Sequence, residues 1–341
     1  MTNHEQILAV LDASEKRREH RRRFLQFAGA AGVAATLAAC GDDNDDGDVA
    51  TPTPTPTTSP TPTPTSTSAQ TDIDVLNFAL NLEYLEAQFY SYAATDAGLP
   101  AELTGAAVAG SNVTGARRVP FQDQLVAAYA REIAADERAH VRFLRNALGT
   151  AAVAQPALDI GVGPNTAFSA AARAAGLIGT GETFDPYSSD ERFLLGAFIF
   201  EDVGVTAYKG SARLISNTTY LEAAAGILAA EAYHAGLIRT VLSRKGMATP
   251  TARLVESATA ISDARDSLDG ASDLDQGIAT TTNAAGQPVA NLVPTDGNGI
   301  AFSRSAAQVL NIVYLNPMAV SQGGFFPAGL TGNIKTAAAS S

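Results

Sequence analysis

Four stretches of the chain place apolar side chains at the spacing of an α-helix. The first stretch spans residues 74–94 and stops before Gly98 and Pro100, which end helices. Its apolar positions are Val75, Leu76, Ala79, Leu82, Leu85 and Phe89. The second stretch begins near Pro120, which suits a first helical turn, and continues to Gly149, a typical C-cap residue.

The third and fourth stretches carry their own start and stop signals. Residues 188–191, Ser-Ser-Asp-Glu, form an N-terminal capping sequence for a helix that reaches about Leu214. The fourth stretch follows Asn217 and ends at Lys245 and Gly246, where a cation and a glycine favour a C-terminus. All four are apolar over more than a narrow stripe. The pattern therefore predicts an all-α, antiparallel four-helix bundle over residues 72–250.

The pattern weakens after Pro250. Residues 251–300 are polar and rich in Asp and Gly, whereas Ser303 to Tyr314 has the pattern of a short amphipathic helix. Residues 323–327, Gly-Gly-Phe-Phe-Pro, are typical of a packed turn. We therefore expect residues 251–341 to be an irregular C-terminal extension that packs on the bundle, not a second domain.

A different composition precedes the bundle. Basic residues 16–23 are followed by an apolar segment that ends at Cys40, the order of an export signal peptide over residues 1–39. Arg21 and Arg22 begin a twin-arginine-like motif, and residues 37–40, Leu-Ala-Ala-Cys, resemble a bacterial lipobox in which Cys40 is lipidated. The alternative is a basic N-terminus on an apolar helix with Cys40 buried as a free thiol.

Residues 40–71 are acidic at first and then rich in Thr and Pro. Alternating prolines at 52–64 exclude a helix and a central strand. An extended polyproline II tether is expected, and fifteen to twenty such residues reach roughly 45–60 Å. The predicted location is the periplasm or cell envelope, with the folded body held away from a membrane by a lipid anchor.

Charge and cysteine content narrow the range of partners. The chain has 341 residues and a formal net charge of -12, which argues against binding to nucleic acid or to anionic lipid surfaces. Cys40 is the only cysteine, so neither an internal disulfide nor a thiolate metal site can form. Membrane contact is expected only through the lipid, and the oligomeric state is left open.

The histidines indicate the chemistry. The only two after Cys40, His140 and His234, each follow a glutamate by three residues, Glu137 and Glu231. A spacing of three puts both side chains on one helix face. Such Glu-x-x-His units hold metal pairs in bundles, together with one glutamate from each of the other two helices.

An internal repeat selects those two glutamates. The third helix offers Glu201, while the first offers both Glu83 and Glu86. Tyr90 follows Glu83 by seven residues, as Tyr208 follows Glu201. The predicted ligand set is Glu83, Glu137, His140, Glu201, Glu231 and His234. The alternative is a set of solvated glutamates beside two buried, hydrogen-bonded histidines.

Carboxylates and imidazoles favour iron or manganese, and four carboxylates balance the charge of two divalent ions. Glu86 is a candidate alternative ligand or hydrogen-bond partner of the ligands, or else a partly exposed polar contact. Tyr90 and Tyr208 are candidates for hydrogen bonds to metal-bound carboxylates, or else ordinary core tyrosines. Asp136 and Asp202, beside proposed ligands, are expected to be solvated.

Five segments carry a further signal, and they are residues 76–90, 136–140, 201–208, 308–314 and 323–327. These segments resemble the ferritin-like domain family that includes plant and bacterial desiccation-related proteins. The resemblance implies a ferritin-like bundle in which Glu83 and His140 bind one metal and Glu201 and His234 the other. Glu137 and Glu231 would bridge the two metals.

Two functions follow from these observations. One is an exported dimetal oxidoreductase that acts on peroxide, dioxygen or ferrous ion. The other is a desiccation- or stress-related structural or binding protein in which metal is structural or absent. No catalytic residue can be named from the sequence.

The lipid anchor is testable. Replacing Cys40 with alanine should release the protein from the membrane fraction, because the alanine has no sulfur to carry lipid. Cell fractionation and immunoblotting measure this, with Thr51→Ala in the tether as the control. Membrane association that survives Cys40→Ala would rule the anchor out.

Overall fold

The computed structural model describes residues 66–340. The predicted signal peptide (1–39), Cys40 and residues 41–65 of the predicted tether lie outside this range. Residues 66–71, also assigned to the tether, instead form the first turns of a helix. The last tether proline is Pro64, so nothing beyond it prevents the helix from extending toward the N-terminus.

Four long helices form the expected bundle. They are α1 (Ser66–Thr95), α2 (Gln124–Leu148), α3 (Asp190–Ala212) and α4 (Thr218–Ala248). Helix α1 packs along α2, and α3 packs along α4. The two pairs meet where α1 contacts α3 and α2 contacts α4. The predicted all-α bundle is confirmed.

The remaining elements are short and lie around the bundle. In chain order they are the helical segments Ala101–Thr104 and Ala167–Ala174, α5 (Leu254–Asp269), strands β1 (Thr281–Thr282) and β2 (Pro288–Val289), and α6 (Ala306–Val313). The strands pair antiparallel, with Thr281 opposite Val289. No helix within residues 66–340 has the length and apolar character needed to cross a membrane.

Side-chain caps set where the bundle helices begin. Ser189 accepts a hydrogen bond from the Arg192 amide, as its capping sequence predicts. Helix α2 begins at Gln124, capped by Asp123, and not near Pro120 as expected. The Asp190 carboxylate accepts from the amides of Gln122 and Asp123, which keeps residues 120–123 outside the helix.

Helix α5 replaces part of the irregular extension that the sequence predicted. Its inward face is Leu254, Ala258, Ile261 and Arg265, at helical spacing. Because a charged residue occupies the fourth position of this face, the apolar pattern is too short to be recognised. The charge of Arg265 is balanced by two buried carboxylates, those of Asp202 and Asp275.

Three arginines and three aspartates form a buried ion-pair network between the bundle and the extension. Arg239 Nη1 lies 2.8 Å from Asp202 Oδ2, and Arg265 Nη2 lies 3.0 Å from the same oxygen. Arg265 Nη2 also lies 2.6 Å from Asp275 Oδ1. Arg304 completes the network by binding Asp275 and Asp269.

This network joins α3, α4 and α5 to residues 275 and 304, and its formal charges cancel. All six side chains are buried. Asp202, expected to be solvated, is therefore a buried partner of two arginines, because α5 covers this face of α3. A buried charge needs such partners to avoid an uncompensated desolvation penalty.

Arg304→Ala should lower the free energy of unfolding by about 3–5 kcal/mol, because it leaves Asp269 buried without its partner and leaves Asp275 with Arg265 alone. Urea denaturation followed by circular dichroism measures the loss. Arg213→Ala, at an exposed position, is the control and should stay within about 0.5 kcal/mol. Equal small effects in both variants would show that the network contributes little stability.

Candidate metal centre

The six predicted ligands meet in the centre of the bundle. Helices α1 and α3 each supply one glutamate, while α2 and α4 each supply a Glu-x-x-His unit, because every bundle helix turns its acidic position inward. The four glutamate side chains are at most 1% exposed, and His234 is also buried. The His140 side chain is 12% exposed.

The ligand atoms fall into two groups that share Glu137. In the first, His140 Nδ1 lies 3.2 Å from Glu83 Oε2 and 3.5 Å from both Glu137 Oε2 and Glu231 Oε1. In the second, His234 Nδ1 lies 2.9 Å from Glu137 Oε1 and 3.7 Å from Glu201 Oε2. Within each group, one atom from every residue lies within 4.8 Å of the others.

Many of these atoms are buried without a hydrogen-bond partner. They are Oε2 of Glu83, both carboxylate oxygens of Glu137, Nδ1 of His140, Oε2 of Glu201, both carboxylate oxygens of Glu231 and Nδ1 of His234. Buried polar atoms are normally satisfied, so a concentration of exceptions needs a physical cause. A cation between these atoms would satisfy them, and the donor set therefore fits a metal site.

Two tyrosines hold the outer glutamates across the bundle. Tyr90 on α1 donates to Glu201 Oε1 on α3, and Tyr208 on α3 donates to Glu83 Oε1 on α1. Burial, together with the adjacent glutamate, raises the pKa of both tyrosines well above the usual value. Both hydroxyls therefore remain protonated donors and leave the other oxygen of each glutamate free for a metal.

The repeat seen in the sequence is also present in the side-chain contacts. Arg145, five residues after His140, binds the hydroxyl of Tyr84, which follows Glu83. Arg239, five residues after His234, binds Asp202, which follows Glu201. Equivalent arginines therefore brace the α1–α2 and α3–α4 pairs.

Two pairs of equivalent positions break this symmetry around the site. Asp136 Oδ2 lies 3.4 Å from Nε2 of His234 and can orient that ring, whereas the equivalent position beside Glu231 is Ala230. Three residues after the outer glutamates, α1 carries Glu86 and α3 carries Gly204. Asp136 thus acts on one histidine, which sequence reasoning missed because only the fold brings the two side chains together.

Glu86 is buried, at 4% exposure, so the expectation of a partly exposed contact is wrong. It faces the gap between α1 and α3, where Gly204 leaves room. A Cβ added at Gly204 would lie 2.5 Å from Glu231 Oε2 and 3.3 Å from Glu86 Oε1. Five carboxylates therefore share this interior, one more than the predicted ligand set contains.

The pKa values of the glutamates show that burying these carboxylates together without a cation costs free energy. Burial raises the pKa of Glu83 to about 7, although His140 opposes the shift. Burial also raises the pKa of Glu201 well above its usual value. Burial and Glu231 act to raise the pKa of Glu137, but His140 and His234 hold it below the usual value. In the metal-free protein, bound protons must therefore balance the carboxylate charge that a metal cation would otherwise balance.

Comparisons with known proteins agree with this geometry. The family model described as a ferritin-like domain matches residues 71–244. Desiccation-related protein PCC13-62 from Craterostigma plantagineum is 29% identical over 272 residues, covering 77% of this chain and 83% of the relative. Ferritin-like catalase Nec2 from Nesocodon mauritianus is 27% identical over 268 residues, covering 77% and 84%.

No solved structure matches the chain. The family match covers just over half of the 341 residues and contains all four bundle helices except their outermost ends. The four helices, the two Glu-x-x-His units and the glutamates opposite them show that the chain belongs to the ferritin-like domain family.

Proposed function

We propose that this protein is a dimetal redox enzyme that decomposes hydrogen peroxide. The observation that carries the proposal is the pair of buried ligand groups joined by Glu137, with both of its oxygens lacking hydrogen-bond partners. A carboxylate with two free oxygens between two histidines is suited to bridging two ions.

In this proposal Glu83 and His140 would hold one ion and Glu201 and His234 the other, with Glu137 and Glu231 as the carboxylates available to both. Glu137 belongs to both ligand groups and Glu231 to the first. Oxygen and imidazole donors suit iron or manganese. A bound pair of such ions would supply a reversible two-electron change. The protein's own groups hold the pair in place: Tyr90 and Tyr208 fix the outer glutamates, and Asp136 orients His234.

The choice of peroxide is supported by the relative named a ferritin-like catalase. In a catalase reaction, one hydrogen peroxide gives up two electrons and two protons and leaves as dioxygen. A second accepts the same electrons and protons and becomes two waters. The reaction needs no other reductant, which suits an enzyme exported through the predicted signal and held by lipid at Cys40.

A structural role is the second candidate. It is favoured by the similarity to a desiccation-related protein and by the position of the cluster, which contacts all four bundle helices. A metal bound there would stabilise the bundle without catalysing a reaction. The two roles share the same ligands, so they are separated by turnover and not by metal content.

The enzymatic role predicts dioxygen release. Protein loaded with iron or manganese should release one dioxygen per two peroxides, measured with an oxygen electrode. Glu137→Ala should lower the rate by about a hundredfold or more, because Glu137 is a proposed ligand and loss of a residue that only orients a ligand already costs roughly 10–100-fold. Glu132→Ala, at an exposed glutamate on the same helix, is the control.

Metal-loaded protein that releases no dioxygen, while Glu137→Ala only lowers the melting temperature, would favour the structural role. Consumption of peroxide without dioxygen would instead indicate a peroxidase or an iron-oxidising activity.

The metal-free protein should lose stability as the pH rises. The folded pKa of Glu83, about 7, exceeds its ordinary value of 4.5, so its contribution is complete below pH 4.5 and is lost as the pH passes 7. The loss is on the order of 2–3 kcal/mol for this group. Urea denaturation from pH 5 to 8 measures it.

Glu83→Gln removes this titrating group and should flatten the profile of the metal-free protein. Metal-loaded wild-type protein should not lose stability over this range, because bound ions keep the carboxylates ionised. A metal-free protein that becomes more stable from pH 5 to 8 would contradict the proposed electrostatics.

A further inference from the structure

A small cavity lies between α1 and α3, next to the proposed metal centre. Its volume is about 20 Å³, and its inner walls come from Leu82, Leu85 and Glu86 on α1 and from Ile199 and Gly204 on α3. A single water needs roughly 10–15 Å³. The cavity therefore accommodates one molecule close to water in size and excludes larger ones.

The C-terminal extension forms the outer wall of this cavity. Ile312 and Val313 of α6, together with Phe325 of the turn that follows, line the side away from the bundle. Phe325 is held there by edge contacts with Phe168 and Phe200, with ring centroids 5.2 Å and 4.9 Å apart. Without these residues the gap between α1 and α3 would be open.

The inner end of the cavity adjoins an unsatisfied ligand atom. Glu231 Oε2 is buried without a hydrogen-bond partner and would lie 2.5 Å from a Cβ at Gly204. Glu86 is the only ionisable residue among those that line the cavity. Glycine at 204, where the symmetry-related position carries Glu86, therefore keeps space open between the cavity and the ligands.

We propose that this cavity is the substrate pocket of the metal centre, with Gly204 as the opening toward the metals, Glu86 as its hydrogen-bonding end and α6 as the wall that limits substrate size. The inference rests on the proposed peroxide chemistry and specifies its substrate. Hydrogen peroxide fits, is neutral and can donate a hydrogen bond to Glu86. Alkyl hydroperoxides are too large.

Widening the outer wall tests the size limit. Reduced, metal-loaded protein is mixed with hydrogen peroxide or tert-butyl hydroperoxide, and the reoxidation rate of the metal is followed by absorbance. Ile312→Ala should raise the rate with the alkyl hydroperoxide, relative to hydrogen peroxide, by about tenfold or more, since one methylene in an apolar pocket is worth roughly 10–200-fold.

Leu310→Ala is the matched control, because Leu310 is equally buried on α6 but does not line the cavity. Its selectivity should equal that of the wild type. Equal selectivity in Ile312→Ala and Leu310→Ala would overturn the proposal.

Closing the inner opening supplies a readout that does not depend on turnover. Nitric oxide, a neutral diatomic, is titrated into reduced, iron-loaded protein and its binding is followed by absorbance. Gly204→Ala should weaken binding by about tenfold or more, while Gly196→Ala, a buried glycine on the same helix beside Pro186 and Phe89, should not. Unchanged affinity in Gly204→Ala, at full metal content, would exclude the pocket.

These measurements separate the two proposals. If hydrogen peroxide fails to reoxidise the metal but Gly204→Ala still weakens nitric oxide binding, the pocket stands and the peroxide chemistry fails. If Gly204→Ala does not hold metal, nitric oxide binding to Ile312→Ala decides, because Ile312 lies outside the helices that carry the ligands. Faster binding there than in Leu310→Ala supports the pocket, and an equal rate overturns it.

The polar end of the pocket is tested through the choice of oxidant. Glu86→Leu should slow reoxidation by hydrogen peroxide roughly tenfold, the rate equivalent of one lost hydrogen bond, and leave reoxidation by dioxygen unchanged. Glu86→Gln retains a hydrogen-bonding group and should restore the rate with peroxide. Equal slowing with both oxidants in Glu86→Leu, at full metal content, would show that Glu86 does not bind the substrate.

Discussion

The concentration of negative charge inside the bundle is the constraint on which the rest of the structure depends. Five glutamates and two histidines lie where apolar side chains would ordinarily meet, and most of their ligand atoms lack hydrogen-bond partners. Ionised carboxylates are tolerated in such an interior only when they are paired, protonated or bound to cations. Helix positions, tyrosine hydrogen bonds and the covering extension all serve to keep this cluster in a fixed geometry.

Buried charged groups elsewhere in the core are balanced by side chains of opposite charge. The network around Asp202, Arg265 and Arg304 contains equal numbers of positive and negative groups, so it is neutral without a ligand. Within residues 66–340, the four predicted glutamate ligands form ion pairs only with His140 and His234, so two possible cations face four carboxylates. Glu201 and Asp202 are adjacent in the chain but face these two environments, because successive residues of a helix point in different directions. One turn of α3 thus connects the metal centre to the attachment of the extension.

The approximate twofold repeat explains both the similarities and the differences between the two halves of the site. Arg145 and Arg239 brace equivalent helix pairs. Tyr90 donates a hydrogen bond to Glu201 and Tyr208 donates one to Glu83, each across the axis. The halves differ at Asp136, which contacts His234, and at Gly204, which leaves space beside Glu231 and Glu86. Such departures from symmetry give the two ligand groups different environments.

The sequence alone determined the bundle and the six residues that gather at its centre. Apolar spacing fixed the helices because long periodic segments leave few alternatives, and the two Glu-x-x-His units stood out because only two histidines follow Cys40. Glu83 was distinguished from Glu86 by its seven-residue spacing to Tyr90 along the chain, which matches the spacing from Glu201 to Tyr208. Helix α5 was missed because Arg265 occupies its inward face, and its burial depends on partners far away in the chain.

Only the tertiary structure decided what surrounds these residues. The burial of Glu86 and Asp202 follows from helix α6 and helix α5 lying over them, and local sequence carries no information about which distant segment covers a helix face. The cavity beside Gly204 exists because residues 312 and 325 close a gap between residues of α1 and α3. Spacing along one helix predicts which side chains share a face, whereas the space between faces depends on how separate segments pack.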